Sequence, residues 1–381
     1  VKASLVVPTY NSRELLAPCL ISLNHQHLDP SDEFEVVLVD DGSTDGTGDM
    51  VDALPLKYPV RRLYLPRTGE SCRSAARNAG IEAADGELIV FADGDQIIDP
   101  LFLREHIRCH RDRPGIVAVG FRDYLAPGPV DLERLRSSFD PEAFPGSTAP
   151  DERAEVTDLL SQNLANLATS WHFLYGCNVS VRKEHLLAVG AFDVNIRRWS
   201  FEDVELGYRL HRHGLTFVHT PFARVHHQHH PESQRERHAD WRENFAYFTR
   251  KHPELDVRLQ WILDAYFDPA RHDGPSWFEA YLRLEFACRA LAGRLPLGEP
   301  YEVLVVDEDG LAGAERRIAE AGAAADLVVV DTTDDRDLPL AVQTLRTGRE
   351  LLYFKRPGRQ VLERAAKTFA SPALADHAAK G

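Results

Sequence analysis

The sequence predicts an α/β fold whose first part is a mostly parallel, Rossmann-like sheet, and two observations carry that expectation. Short apolar runs alternate with amphipathic helical stretches, an order that calls for crossover connections and parallel strands. Polar motifs also follow strand after strand: Thr9-Tyr10-Asn11, Asp40-Asp41-Gly42-Ser43 and Asp93-Gly94-Asp95. In parallel sheets, ligands gather beyond the carboxyl ends of the strands.

The elements can be taken in order. ASLVVPTY (3–10), EVVLVDDG (35–42), VRRLYLP (60–66), ELIVFADG (87–94) and GIVAVGFR (115–122) read as strands. SRELLAPCLISLNHQ (12–26) and SCRSAARNAGIEAA (71–84) read as the helices between them. Residues 122–160 are rich in Pro, Gly and carboxylates, which marks a long surface excursion: a substrate lid, an acceptor-binding element or a functionless insertion. Residues 158–175 read as a helix and NVSVR (178–182) as a strand. A helix from about Ser200 to Arg212 is closed by Gly214, and LTFVHTP (215–221) is strand-like. From 235 to 295 the pattern is helical, with aromatics expected to pack rather than bind. After the Pro/Gly break near 293–300, residues 301–310, 325–333 and 350–358 read as strands, with helices at 314–322 and 338–347. The expected domains are therefore 1–234, a helical extension 235–295, and a small accessory α/β domain 296–381 through which a homo-oligomer can form.

Composition bounds the function. A net charge of −15 and a pI of about 5.6 argue against a nucleic-acid backbone or an anionic membrane as the main partner. Five scattered cysteines without a CxxC pair read as reduced thiols of a cytoplasmic protein. The chain opens directly on a strand, so no signal peptide is expected. No apolar run approaches the ~20 residues that span a bilayer.

Three carboxylate motifs can carry chemistry, and each has an ordinary alternative. Asp93 and Asp95 flank a glycine at a strand end, where they can hold a hard cation or merely form an Asp-Gly turn. Asp40 and Asp41 can accept from a base or ribose, or belong to a capped turn. Glu202 and Asp203 open a helix, where Asp203 can act as a base or close a capping box with Ser200. The densest histidine cluster follows, His226, His227, His229 and His230 in the stretch ARVHHQHH. Neighbouring residues on a strand face opposite ways, so all four do not converge on one ion.

Taken together, VVPTYN, VVLVDDGSTDGT, ESCRSAARNAGIEAADGELIVFADGD and FLYGCNVSVRKEHLLAVGAFDVNIRRWSFEDVELGYRLHRHG occur in an order and spacing that resembles family 2 glycosyltransferases of the GT-A fold. The resemblance covers about residues 3–230, and the GAFD…W…ED segment is also similar to galactosyl- and N-acetylgalactosaminyltransferase-type catalytic domains. It implies an inverting, metal-dependent transfer from a nucleotide sugar, UDP by family analogy, with Mn²⁺ or Mg²⁺ as cofactor and a soluble acceptor. It places Pro8, Thr9, Tyr10, Asn11, Asp40, Asp41, Arg77, Asp93 and Gly94 at the nucleotide sugar, with pairing to Asp85 or Glu87 as the alternative for Arg77. Gly176, Asn178 and Trp199 would shape the donor and acceptor sugar site. The metal would be held by Asp95, His227 and Asp93, with His229 in reserve and His226 facing away. Asp203, with Glu202 beside it in the ED motif, would be the general base.

Rival readings each lack a feature. A zinc hydrolase would need HExxH, and a sugar nucleotidyltransferase would need a glycine-rich loop that VVPTYNSRELL does not contain. A retaining GT-A transferase and a non-catalytic nucleotide-sugar-binding protein remain as alternatives, separable by product configuration and by turnover.

Overall fold

A computed structural model of the chain describes residues 1–111, 113–159, 164–231, 234–270 and 275–291, together with three strands beyond them. The chain divides into two units, Val1–Asp151 with Trp171–Ser233, and Glu152–Ser170 with Gln234–Gly381.

The first unit begins with β1 (Lys2–Thr9), α1 (Arg13–Ser22), β2 (Glu33–Asp40), α2 (Thr47–Ala53), β3 (Val60–Tyr64), α3 (Arg73–Ala83) and β4 (Leu88–Ala92). It continues through β5 (Gln96–Ile98), α4 (Phe102–Arg111), β6 (Ile116–Val119), β7 (Arg122–Leu125), α5 (Leu132–Ser137) and β8 (Ser147–Ala149). The next helix, α6 (Ala154–Leu159), belongs to the second unit. The first unit resumes with β9 (Asn178–Arg182), α7 (Lys183–Ala188), α8 (Glu202–Arg212), β10 (Thr216–His219) and β11 (Val225–His227).

Seven strands form one sheet in the order β10-β6-β9-β4-β1-β2-β3. It is mostly parallel, as expected: only β9 runs antiparallel, against both β4 and β6. The central strands β1, β2 and β4 are buried on both faces, which is why they read as continuous apolar runs. Edge strand β3 instead exposes Arg61 and Arg62, charges that discourage further pairing. Parallel register sets Thr9 opposite Asp40, so the first two polar motifs leave the sheet side by side.

A second sheet, β5-β11-β7-β8, was not anticipated. It absorbs part of the excursion after residue 122. Leu125, Leu135 and Ala143 from that excursion pack with Ile21 and Ile97 in a small apolar cluster, so this part is anchored rather than draped over the surface. Helix α4 also escaped the sequence reading. Its buried face includes His106 and His110 among Phe102, Leu103 and Ile107, and two imidazoles break the apolar period.

The expected helix at 158–175 is not a single helix. Helix α6 ends at Leu159, short 3₁₀ turns occupy Leu164–Asn166 and Ser170–Phe173, and residues 160–163 lie outside the described residues. The Ala168 and Thr169 N–H groups donate to the Glu285 carboxylate at 2.7 and 2.9 Å, so these donors serve a side chain instead of a helical carbonyl.

The second unit also contains α9 (Gln234–Lys251), α10 (Leu255–Arg258), α11 (Asp264–Phe267) and α12 (Trp277–Leu291). Its aromatics pack as expected, with Trp241 stacked on Phe245 and Trp277 on Tyr281. Strands β12 (Val303–Val306), β13 (Leu327–Thr332) and β14 (Leu351–Lys355) form a parallel sheet within the three strand stretches expected there. The helices expected at 314–322 and 338–347 lie outside the described residues. Among the described residues, no helix is long and apolar enough to cross a membrane.

Candidate functional site

Strand register and the segment after β11 bring together three side chains that could hold a cation, Asp95, His227 and His230. Strand β5 follows the Asp93-Gly94-Asp95 turn directly, and β11 pairs with it antiparallel so that His227 lies opposite Gln96. The Gln228 N–H extends this pairing by donating to the Asp95 carbonyl at 2.9 Å. His227 Nδ1 then lies 3.3 Å from one Asp95 carboxylate oxygen, and His230 Nε2 lies 3.3 Å from the other. Ligand atoms of these three residues all fall within 4.8 Å of one another. His226, on the opposite face of β11, instead packs beside Phe144 and Asp123. His229, the reserve ligand, is exposed, and the imidazole that joins His227 is His230, which was not among the expected ligands.

The donor set fits a divalent ion. Asp95 Oδ1 and His227 Nδ1 are buried without a hydrogen-bond partner although only 3.3 Å apart. Two close but unbonded ligand atoms are what a shared cation would bridge. Burial opposes the Asp95 charge, yet the adjacent His227 and His230 imidazoles outweigh it and hold the carboxyl well below the usual range. One carboxylate with two imidazoles suits Mn²⁺ better than Mg²⁺.

Asp93 does not join this cluster. Its Oδ1 accepts from Arg77 Nη2 at 3.0 Å, and its N–H donates to the side-chain oxygen of the fully buried Gln96 at 3.1 Å. Arg77 Nη1 donates to Glu202 Oε1 at 3.2 Å. A single buried guanidinium, 2% exposed, thus joins the β4 motif to the first turn of α8.

Asp203 lies beside this bridge. Its Oδ2 accepts from the Gly176 N–H at 3.1 Å and its Oδ1 from the Val204 N–H at 2.8 Å. Burial first, and the Glu202 charge second, push its carboxyl up to about 6, with Arg77 and the two N–H groups pulling the other way. The position expected for Ser200 as N-cap is taken by Phe201, with no side-chain cap. Ser200 and Phe201 both hold positive φ, 79° and 70°. Left-handed backbone costs a non-glycine residue about 1–2 kcal/mol, and strain of this kind collects at functional sites.

Gly176 is needed for space: a Cβ there would lie 2.7 Å from the Arg77 guanidinium carbon. Asn178, two residues on, is fully buried and does not face the crevice. Its amide nitrogen donates to the Phe121 and Ala223 carbonyls, and its oxygen lies 2.9 Å from His106 Nε2. It braces the floor from below. Trp199 is half-buried on the loop before α8.

The nucleotide-pocket candidates lie at the ends of β1 and β2. The Asp41 N–H donates to the Thr9 carbonyl, the Asn11 N–H to Ser43 Oγ, and the Thr44 N–H to Asn11 Oδ1, so the two loops interlock. Asp40 spends one carboxylate oxygen on the Ser43 N–H, at 2.8 Å, as a turn closure. Arg67 is the residue the sequence reading missed here. Its guanidinium bonds Asp41 and lies over the exposed Tyr10 ring, 3.7 Å from its centroid. No motif marks Arg67, because a lone arginine after β3 has no signature until the fold sets it against Tyr10. Pro8 is the penultimate residue of β1, and Gly94 lies against the Pro8 carbonyl and Leu16.

Comparison with known proteins identifies the family. A sequence model of the family described as Glycosyl transferase family 2 matches residues 4–187. An uncharacterized glycosyltransferase of Bacillus subtilis, YfnE, is 32% identical over 293 residues, covering 68% of this chain and 73% of that protein. Validoxylamine A glucosyltransferase of Streptomyces hygroscopicus subsp. limoneus is 32% identical over 277 residues, covering 68% of this chain but only 59% of its own length. The crystal structure of S. aureus TarS 1-349 aligns at 18% identity with a TM-score of 0.47, over 77% of this chain and 87% of that one. The matched family segment carries the β1, β2 and β4 motifs, and the YfnE likeness covers more than two thirds of that relative; the chain belongs to glycosyl transferase family 2 and is a glycosyltransferase.

Proposed function

We propose that this enzyme transfers a sugar from a UDP-sugar to an acceptor hydroxyl in a single displacement that inverts the anomeric carbon. Asp203 is the general base, and Asp95, His227 and His230 hold a divalent ion, Mn²⁺ by preference. The observation that carries the reading is Asp203 itself: a carboxyl pushed up to about 6, fixed by the Gly176 N–H and joined through Glu202 and Arg77 to the Asp93-Gly94-Asp95 turn.

A base working near neutral pH gains from such a pKa, because it is ionised at pH 7 yet takes a proton readily. The metal, when bound, supplies Lewis-acid stabilisation to the departing diphosphate. Asp203 accepts the proton of the acceptor hydroxyl as that oxygen attacks the anomeric carbon from the face opposite the diphosphate. Gly176 keeps the carboxylate oriented through this step. One displacement needs no enzyme nucleophile, and Glu202 is already engaged with Arg77. Tyr10 supplies a stacking face for the base, while Asp41 and Arg67 offer an acceptor and a donor to its edge, a pair that suits the N–H and carbonyl groups of uracil. Asn11, Asp40 and Thr9 shape the loops behind it, and Trp199 is the candidate platform for a sugar face.

A panel of nucleotide sugars tested by calorimetry with and without Mn²⁺, followed by NMR of the product anomer, tests the proposal. Inverted product and Mn²⁺-dependent UDP-sugar binding are expected. Retained configuration refutes the single displacement, and binding without any turnover favours a non-catalytic protein.

A further inference from the structure

The partners of Arg77 differ from those the sequence offered. Asp85 pairs with Arg61 and Lys2, and Glu87 with Arg182, so neither surface carboxylate reaches Arg77. Its guanidinium turns inward instead, with Nη2 on Asp93 and Nη1 on Glu202. The fork spans two motifs that lie more than a hundred residues apart in sequence. Gly176, whose N–H holds Asp203, lies directly against the same guanidinium.

We infer that Arg77 is a positioning residue of this enzyme: it ties the end of β4 to the first turn of α8, and so sets the place and acidity of Asp203 without needing to touch the nucleotide. The inference rests on Asp203 being the base. Four groups face that carboxylate: Glu202 and the Val204 N–H from its own helix, Arg77 from α3, and the Gly176 N–H from the segment ahead of β9. Arg77 is the one cation among them. Burial works against its own charge, but Asp93, Glu202 and Asp203 outweigh this and keep it more firmly protonated than an ordinary arginine. A lysine cannot replace it fully, since one ammonium is a point donor where two nitrogens of a planar fork meet two carboxylates.

The test follows Asp203 directly, by ¹³C NMR titration of labelled aspartate carboxyls in the full chain, with Asp203→Asn assigning the resonance. In Arg77→Gln the Asp203 midpoint should rise by about one pH unit or more, as expected when an opposite charge within ~4–6 Å is removed. UDP affinity in Mn²⁺ buffer, read by calorimetry, should fall less than about threefold. An unmoved midpoint overturns the inference, and an accompanying drop in UDP affinity of about tenfold or more assigns the guanidinium to the nucleotide instead. If Arg77→Gln fails to fold, Arg77→Lys takes its place: its midpoint should rise by a smaller amount, and no rise again overturns the inference. Failure of the base reading is seen separately, as retained turnover in Asp203→Asn, whatever the Arg77 titrations show.

Discussion

Replacing Asp203 by asparagine should cut turnover sharply and stabilise the fold, two effects with one cause. The native carboxyl is displaced from its ordinary value of 3.8 to about 6, with burial the largest contributor. Below pH 3.8 both folded and unfolded chains hold the proton, so the group costs nothing. Between 3.8 and 6 the folded chain binds more protons than the unfolded one, so stability falls as pH rises through this window. Above 6 the cost is complete: a displacement of about two on the pH scale, at ~1.4 kcal/mol each, or ~3 kcal/mol at most. Asp203 keeps some contact with solvent, which lowers the expectation to about 1–3 kcal/mol. Asparagine is nearly isosteric and retains an oxygen for the Gly176 N–H. Thermal melts should therefore rise by a few degrees at pH 7.5, with the gain shrinking toward pH 4, at ~2–4 °C per kcal/mol for a domain of this size. Turnover should drop ~10²–10⁴-fold. In the native enzyme, turnover should decline as pH falls through about 6, because the base is lost as an acid. Undiminished turnover in the variant would refute the catalytic role, and a pH-independent stability difference would refute the electrostatic account.

Other expectations concern separate parts of the site. His227→Ala should weaken Mn²⁺-dependent UDP binding, measured by calorimetry, by about tenfold or more, with a similar effect from His230→Ala and none from His229→Ala. Gly176→Ala puts a methyl 2.7 Å from the Arg77 guanidinium carbon; turnover should fall sharply, and urea midpoints should show a loss of ~1–3 kcal/mol. His106 and His110 meet at Ser180 Oγ, and burial pushes them down to about 4 and about 3. The folded chain keeps both neutral while the unfolded chain protonates them near 6.5, so stability should be lost as pH falls below that value, by up to ~2 kcal/mol per histidine at pH 5. Urea titrations of the native chain and of His110→Gln at pH 7 and pH 5 read this, and an acid response equal in both would remove His110 from the account.

Sequence by itself determined the α/β class, the strands β1, β2 and β4, and the carboxylate motifs at their ends. Fully buried parallel strands leave an unbroken apolar record, and crossover order follows from alternation alone. His227 was singled out by the family resemblance rather than by pattern, since strand alternation by itself says only that adjacent histidines face opposite ways. Tertiary structure decided what depends on contacts between distant segments. Helix α4 was hidden by the histidines on its buried face, and the second sheet by the short length of its strands. His230 rather than His229 meets Asp95, on a segment beyond β11 whose Gln228 is tied to the Leu15 carbonyl. Arg67 reaches Tyr10 and Asp41, and Arg77 reaches Glu202, across separations that no local pattern encodes. Residue type and period report which side chains are buried, but the partner of a buried charge is fixed only when the folded chain brings the two together.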